Sequence, residues 1–257
     1  MSVSTPSRLA AGQEPVFVFG ANIAGDHNEG PAAVAARFHG GAAGKWNGPA
    51  GNCYAVPYLD SKMRLLPLDV IGNYVSICCE YIAKKPALQF QITRFACEPG
   101  EYTDVQMSDL WRHAPENCQL PGVWLRTLDP RRAVRLLVFD PGEALTEPSR
   151  QTLMERFLAG KAAQCGSAQV EFVSIGSLPG IGATAQFARR LNRRHRVIGQ
   201  NTSFYGDDAA LTCERKAVWY ATHLVDLFEV ENTGRPEHMR VLGSARRGGL
   251  VVDELIG

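Results

Sequence analysis

The chain has 257 residues, 45% hydrophobic and 21% charged, a globular composition that suits one large domain or two of roughly 100–150 residues. Its formal net charge of +1 gives no bulk electrostatic case for nucleic acid or acidic lipid, and no apolar run reaches the roughly 20 residues that span a bilayer. Its seven cysteines form no CxxC pair, which predicts free, mostly buried thiols in a reducing compartment rather than disulfides or a zinc site.

Residues 1–14 lack a charged segment followed by an apolar one, so they read as a flexible leader on a cytoplasmic protein. Val16 to Gly20 reads as a buried strand and Asn22 to Gly30 as a loop. Pro31 suits the first turn of a helix whose small residues, Ala32, Ala33, Val34, Ala35 and Ala36, allow close packing on a sheet. Residues 40–51, GGAAGKWNGPAG, predict a long loop, in which Trp46 either plugs the loop onto the body or stacks on a base. Asn52 to Leu59 reads as a strand, and Pro57 within it predicts a sheet edge or a bulge. Asp69 to Lys85 carries apolar residues at helical spacing and stops at Pro86. Leu88 to Phe95 alternates as a strand does, the loop ACEPGEY follows, and Val105 to His113 predicts a short helix. Two prolines and a charge cluster over residues 121–132 predict a domain boundary.

The second half begins with a strand from Val134 to Phe139 and a turn at Asp140, Pro141 and Gly142. Thr146 is placed to cap a helix that runs to about Gln164. A strand follows over Gln169 to Ile175, then the glycine-rich stretch GSLPGIGAT, then a helix with Phe187, Ala188 and Leu191. Arg196 to Gly199 predicts a short strand, Ala209 to Thr222 a helix, and Val225 to Val230 a strand. GSARRGG, residues 243–249, reads as a turn. The alternation predicts two tandem three-layer α/β domains, over residues 15–125 and 132–257. Arg189, Arg190, Arg193, Arg194, His195 and Arg196 read as the solvated face and C-terminus of a helix, or as a phosphate or polynucleotide contact.

Two strand–loop–helix junctions carry the candidate chemistry. In the first, Gly20 and Gly30 permit positive φ and close approach, Asn22 offers donors and an acceptor to a ribose, and His27 with Glu29 supplies a general base or acid. In the second, Gly180, Gly182 and Thr184 follow a strand and open a helix, so free N–H groups and the helix dipole face a phosphate. Asp207 and Asp208 are adjacent, but an acid just before a helix is more often an N-cap than a magnesium ligand; no metal and no cofactor are expected.

VFVFGANIAGDHNEGPAA, GNCYAVPYLD and FQITRFACEPGEY together resemble a phage-associated family related to the macrodomain fold, over residues 15–125. That resemblance implies ADP-ribose binding, with Asn22 near the distal ribose and residues 96–102, including Gly100, in place of the diphosphate loop. IGSLPGIGAT, ERKAVWYATHLVDLFEV and GSARRGG resemble the SLOG group of Rossmann-like nucleotide-binding domains, which implies a nucleotide held by Gly180, Gly182, Arg215, Gly243 and Ser244. The leading expectation is a phage or mobile-element protein that senses or sequesters an ADP-ribose-like or NAD-derived nucleotide. One alternative is a hydrolase of ADP-ribosyl or N-glycosidic bonds. The other is a protein–protein module with decayed sites, favoured by Glu98 and Pro99 in a loop that is glycine-rich in the family. The expected partners are a nucleotide-type small molecule, a host protein under the last reading, and a second copy of the chain. No membrane partner is expected, and nucleic acid is disfavoured.

Overall fold

The computed structural model describes residues 14–98, 101–129, 134–140, 144–165, 170–176, 178, 180–227 and 236–254. It is an α/β structure that divides into two compact units, Met1–Trp124 and Leu125–Gly257. Among the described residues no helix is long and apolar enough to cross a membrane, and Cys53, Cys78, Cys79, Cys97, Cys118 and Cys213 are free thiols.

The first unit is built on β1 (Val16–Asn22), α1 (Gly30–Phe38), β2 (Gly48–Ala50), β3 (Cys53–Leu59), α2 (Leu68–Ala83), β4 (Phe90–Ile92), α3 (Asp104–Leu110) and β5 (Cys118–Gln119). Its sheet runs β2-β3-β1-β4-β5, parallel except for β2. Strand alternation sorts side chains to two faces. Phe17, Phe19 and Ala21 pack on Ala32 and Ala35 of α1. On the other face Tyr54 and Phe90 meet Tyr81 of α2.

Pro57 lies in an interior strand, not at an edge, because the short β2 pairs on the far side of β3. The bulge expected of it is present: Ala21 pairs with Pro57, but Asn22 pairs with Leu59. The glycine-rich segment 40–51 is also not all loop, since Gly48–Ala50 supplies that outer strand. Trp46 stands edge-on to Tyr74 of α2, as a plug would. Thr103 starts α3 with a reciprocal capping box to Gln106, which satisfies two backbone donors at the helix N-terminus.

A charged knot closes the far end of this unit. Arg94 donates to Asp104 through Nε at 2.8 Å and Nη2 at 3.0 Å, and Trp124 Nε1 donates to the same carboxylate at 2.8 Å. Burial alone would raise the Asp104 carboxyl; the Arg94 bond and charge, with Trp124, outweigh it and hold the group below the usual range.

The second unit contains β6 (Val134–Phe139), α5 (Pro148–Cys165), β7 (Val170–Ile175), α6 (Ile181–Arg190), β8 (Arg194–Ile198), α7 (Thr202–Tyr205), α8 (Ala209–Tyr220), β9 (His223–Asp226), α9 (Pro236–Arg247) and β10 (Val251–Glu254), after α4 (Gly122–Leu128), inside which the division between the units falls. The sheet is wholly parallel, in the order β10-β9-β6-β7-β8. Leu137, Phe139, Val173, Ile175 and Leu224 pack on α8 and α9. Leu136, Val138, Phe172 and Val225 pack against Met154 of α5 and Phe187 of α6. Arg126 anchors the unit's first turn by donating to the carbonyls of Thr222 and Gly249, both at 2.9 Å.

Three local expectations change here. Residues 144–146 form a 3-10 turn and α5 starts at Pro148, so Thr146 precedes the helix rather than capping it directly. Asp208 takes the N-cap position of α8 but makes no side-chain cap bond. GSARRGG is not a turn over its first five residues: Gly243 and Ser244 lie inside α9, and the turn is confined to Gly248 and Gly249. A helical glycine costs about 1 kcal/mol relative to alanine, and burying Val241, Leu242 and Ala245 on the sheet outweighs it.

Replacing Asp104 with alanine leaves Arg94 and Trp124 Nε1 without this acceptor. The expected loss is about 2–3 kcal/mol of unfolding free energy, read by urea denaturation.

Candidate functional site

In a parallel sheet all carboxyl ends lie at one edge, and a crevice opens where successive crossovers depart to opposite sides. In the first unit the chain goes from β1 outward to β3 and then back past it to β4, so the reversal lies between β1 and β4. In the second it goes β6-β7-β8 and returns to β9 and β10, so the reversal lies between β6 and β9.

At the first reversal, Asn22 ends β1 and is 6% exposed. Its Oδ1 accepts from Asp26 N at 3.0 Å and its Nδ2 donates to Asp26 O at 3.2 Å. The amide proposed to face a ribose is therefore committed to shaping its own loop. Gly20 is needed for packing, since a Cβ there would stand 2.6 Å from Phe95 Cβ. Gly25, at φ +72°, would place a Cβ 2.5 Å from the Gly44 backbone, and Gly44 N donates to Gly25 O at 3.0 Å, so the two glycine-bearing loops dock on each other. Gly30 adopts φ +55° with open space around it. Glu29 is exposed and occupies the N-cap of α1 without a side-chain bond to it. His27 is 7% exposed, edge-on to Phe19 at 5.2 Å, with neither ring nitrogen hydrogen-bonded. His27 and Glu29 are thus not a matched acid–base pair: one is under the surface, the other on it.

The described residues of 96–102 use their backbone donors within the segment. Gly100 lies outside the described residues. Tyr102 N donates to Ala96 O, Glu98 N to Glu101 Oε2, and Glu101 N to Glu98 O, so these backbone donors are consumed inside the segment. Arg94 Nη2 donates to Cys97 O at 2.9 Å. The Cys97 thiol is pushed up to about 12 by burial and by the charge of Asp104, which makes it a poor nucleophile.

At the second reversal Gly180 acts through sterics. A Cβ on Gly180 would lie 2.2 Å from Asp140 O, so only glycine lets the start of α6 pack on the end of β6. Asp140 is 2% exposed and accepts from Ala144 N at 2.8 Å and Leu145 N at 3.2 Å. Gly180 caps α6 with no side-chain bond, Gly182 lies in its first turn, and Thr184 is 1% exposed with Oγ1 lacking a hydrogen-bond partner. Thr184 is four residues after Gly180, hence on the same helix face, and helical side chains tilt toward the N-terminus. Arg215 is exposed on α8.

On the other face of the same edge, Asp226 ends β9 and its Oδ2 meets His238 Nε2 of α9 at 2.7 Å, both buried. The imidazole is parallel to Phe139, with ring centroids 5.9 Å apart and a 4° interplanar angle, and Phe139 pairs with Asp226 in register. No local sequence pattern announces this pair, because twelve positions and an element boundary separate its members. Ser174 and His195 form another contact, at 2.9 Å, between β7 and β8. Within the basic cluster Arg190 pairs with Glu155 and Arg196 with Glu171, while Tyr220 lies beneath Arg135 and Arg196. Among the described residues no group of three or more histidine, cysteine or acidic side chains is arranged to hold a metal ion.

No protein-family model and no curated protein matches the chain.

Two outcomes are expected. Gly180→Ala must displace backbone and should cost about 1–3 kcal/mol or more in chemical denaturation. His195 is held below its ordinary value by burial, then by Arg189, against the pull of Glu171. Its unfolded form therefore binds a proton first, and stability falls as pH drops below about 6.5. A His195→Asn variant should show a flatter stability profile from pH 5 to 8.

Proposed function

We propose that the chain binds a nucleotide-type small molecule at the carboxyl edge of its second sheet, across the ends of β6 and β9, with an anionic group at the N-terminus of α6. The observation that carries this reading is Thr184, fully buried in the first turn of α6 with an unpartnered hydroxyl, one helical turn from the glycine that abuts Asp140. Backbone N–H groups at an uncapped helix N-terminus add donors and a favourable dipole. The ligand class to test first is ADP-ribose-like or NAD-derived nucleotides, bound by a phage or mobile-element protein that senses or sequesters them. In the first unit the backbone donors of Glu98, Glu101 and Tyr102 are taken up within their own segment and add no support for a diphosphate cradle there.

A second reading is hydrolysis of an ADP-ribosyl or N-glycosidic bond. It is favoured by the buried Asp226–His238 pair at the same edge, since a carboxylate that orients an imidazole is a recurrent way to position a base. Product formation over a nucleotide panel, lost in His238→Gln with binding retained, separates turnover from binding alone.

Isothermal calorimetry of the full chain with ADP-ribose, NAD and nucleoside monophosphates tests the binding reading. At least one should bind, and Thr184→Val should weaken it by tenfold or more. Heat from none of them would sink the proposal.

A further inference from the structure

We propose that His27 and Thr93 form a separate, buried binding site in the first unit, built for an uncharged group that presents a hydrogen-bond donor beside an acceptor, as a carboxamide or the edge of a nucleobase does. Phe19 is the floor of the site. It faces α1, packed with Ala21, Ala32, Ala35, Cys53 and Ala55. The ladder between β1 and β4 pairs Phe17 with Gln91 and Val18 with Ile92, and Thr93 N closes that last pair by donating to Val18 O at 2.8 Å. Thr93 follows directly on Ile92, whose partner Val18 lies on the sheet face opposite Phe19, so alternation turns Thr93 to the face of Phe19. His27 reaches the same ring from the loop above, at 5.2 Å and 84°.

Both side chains are 7% exposed, and His27 Nδ1, His27 Nε2 and Thr93 Oγ1 all lack a hydrogen-bond partner. Buried polar groups are nearly always paired, and an unpaired one costs stability that an apolar residue of the same shape would not. Valine at 93 and phenylalanine at 27 would serve the core better, so these polar atoms are held for an outside partner. The side chains packed with Phe19 are uncharged, so an anion would find no counter-charge in that cluster. Two ring nitrogens and a hydroxyl between them can donate and accept, which matches a donor–acceptor edge lying against an aromatic ring.

The site lies just below the surface. Asp26 and Asn28 on either side of His27 are exposed, as is Glu29, and the left-handed glycines Gly25 and Gly30 bracket the segment. It is at the β1/β4 reversal, where parallel sheets admit ligands.

The test uses the full chain with nicotinamide, adenine and uracil as probes and inorganic phosphate as the anionic control. Thr93→Val should raise the melting temperature of the ligand-free protein by about 2–4 °C. It should also abolish a thermal shift that at least one probe gives in the wild type. In ¹⁵N spectra that probe should move the His27 ring resonances, in the Thr184→Val variant as well as in the wild type, which keeps this site distinct from the one in the second unit. Three outcomes overturn the proposal. They are a lower melting temperature in Thr93→Val, movement of the His27 ring resonances by phosphate in the Thr184→Val variant, and no shift from any of the three probes.

Discussion

Parallel strand pairing is the constraint on which both units depend. Two parallel strands cannot be joined by a tight turn, so every connection crosses over the sheet and returns all carboxyl ends to one edge. In the second unit this holds for all five strands. In the first it holds for every pairing except that of β2, whose antiparallel addition moves Pro57 into the interior. Loops, helix starts and strand ends then converge in a small space, and the backbone must pass close to itself there. Gly20 against Phe95, Gly25 against Gly44 and Gly180 against Asp140 meet that need, each because a single added Cβ would fall inside van der Waals contact. Glycines that look like ligand contacts in the sequence are first of all the means by which the edge closes.

Polar groups at these edges divide into those the fold consumes and those it leaves. The Asn22 amide, the Asp140 carboxylate and the Arg94–Asp104 pair are spent on loop geometry, each with named partners. His27, Thr93 and Thr184 stand apart, nine-tenths or more buried with side-chain polar atoms that have no hydrogen bond. The two units arrive at comparable positions by different chemistry. The first offers an aromatic floor with neutral polar groups, and the second a helix N-terminus beside a buried carboxylate. Asp226 and His238 add an oriented imidazole on the opposite face of the second edge.

The periodicity of side chains is a local property, and the elements that rest on it were legible. The 3.6-residue spacing of Ile71, Val75, Cys78 and Ile82 marks α2, and those four are its buried residues. The apolar run from Val134 to Phe139 marks β6, buried on both faces. Gly243 and Ser244 depart from the expected turn because a glycine-rich stretch of seven residues resembles one locally, whereas the burial of Val241, Leu242 and Ala245 on the sheet decides for helix. Strand Leu88 to Phe95 shortened to Phe90–Ile92 because its pairing with β1 ends there and the chain turns into the Arg94 knot.

The sequence alone determined an α/β structure, the approximate run of its strands and helices, and the two strand–loop–helix junctions. Each of those depends on residues within about ten positions of one another. Only the tertiary structure decided that Asn22 bonds to its own loop, that His27 is buried edge-on to Phe19, and that Asp226 meets His238. Those pairings follow from strand register and from which helix covers which face. Both are set by burying the whole apolar surface at once, and no short window of sequence carries that information.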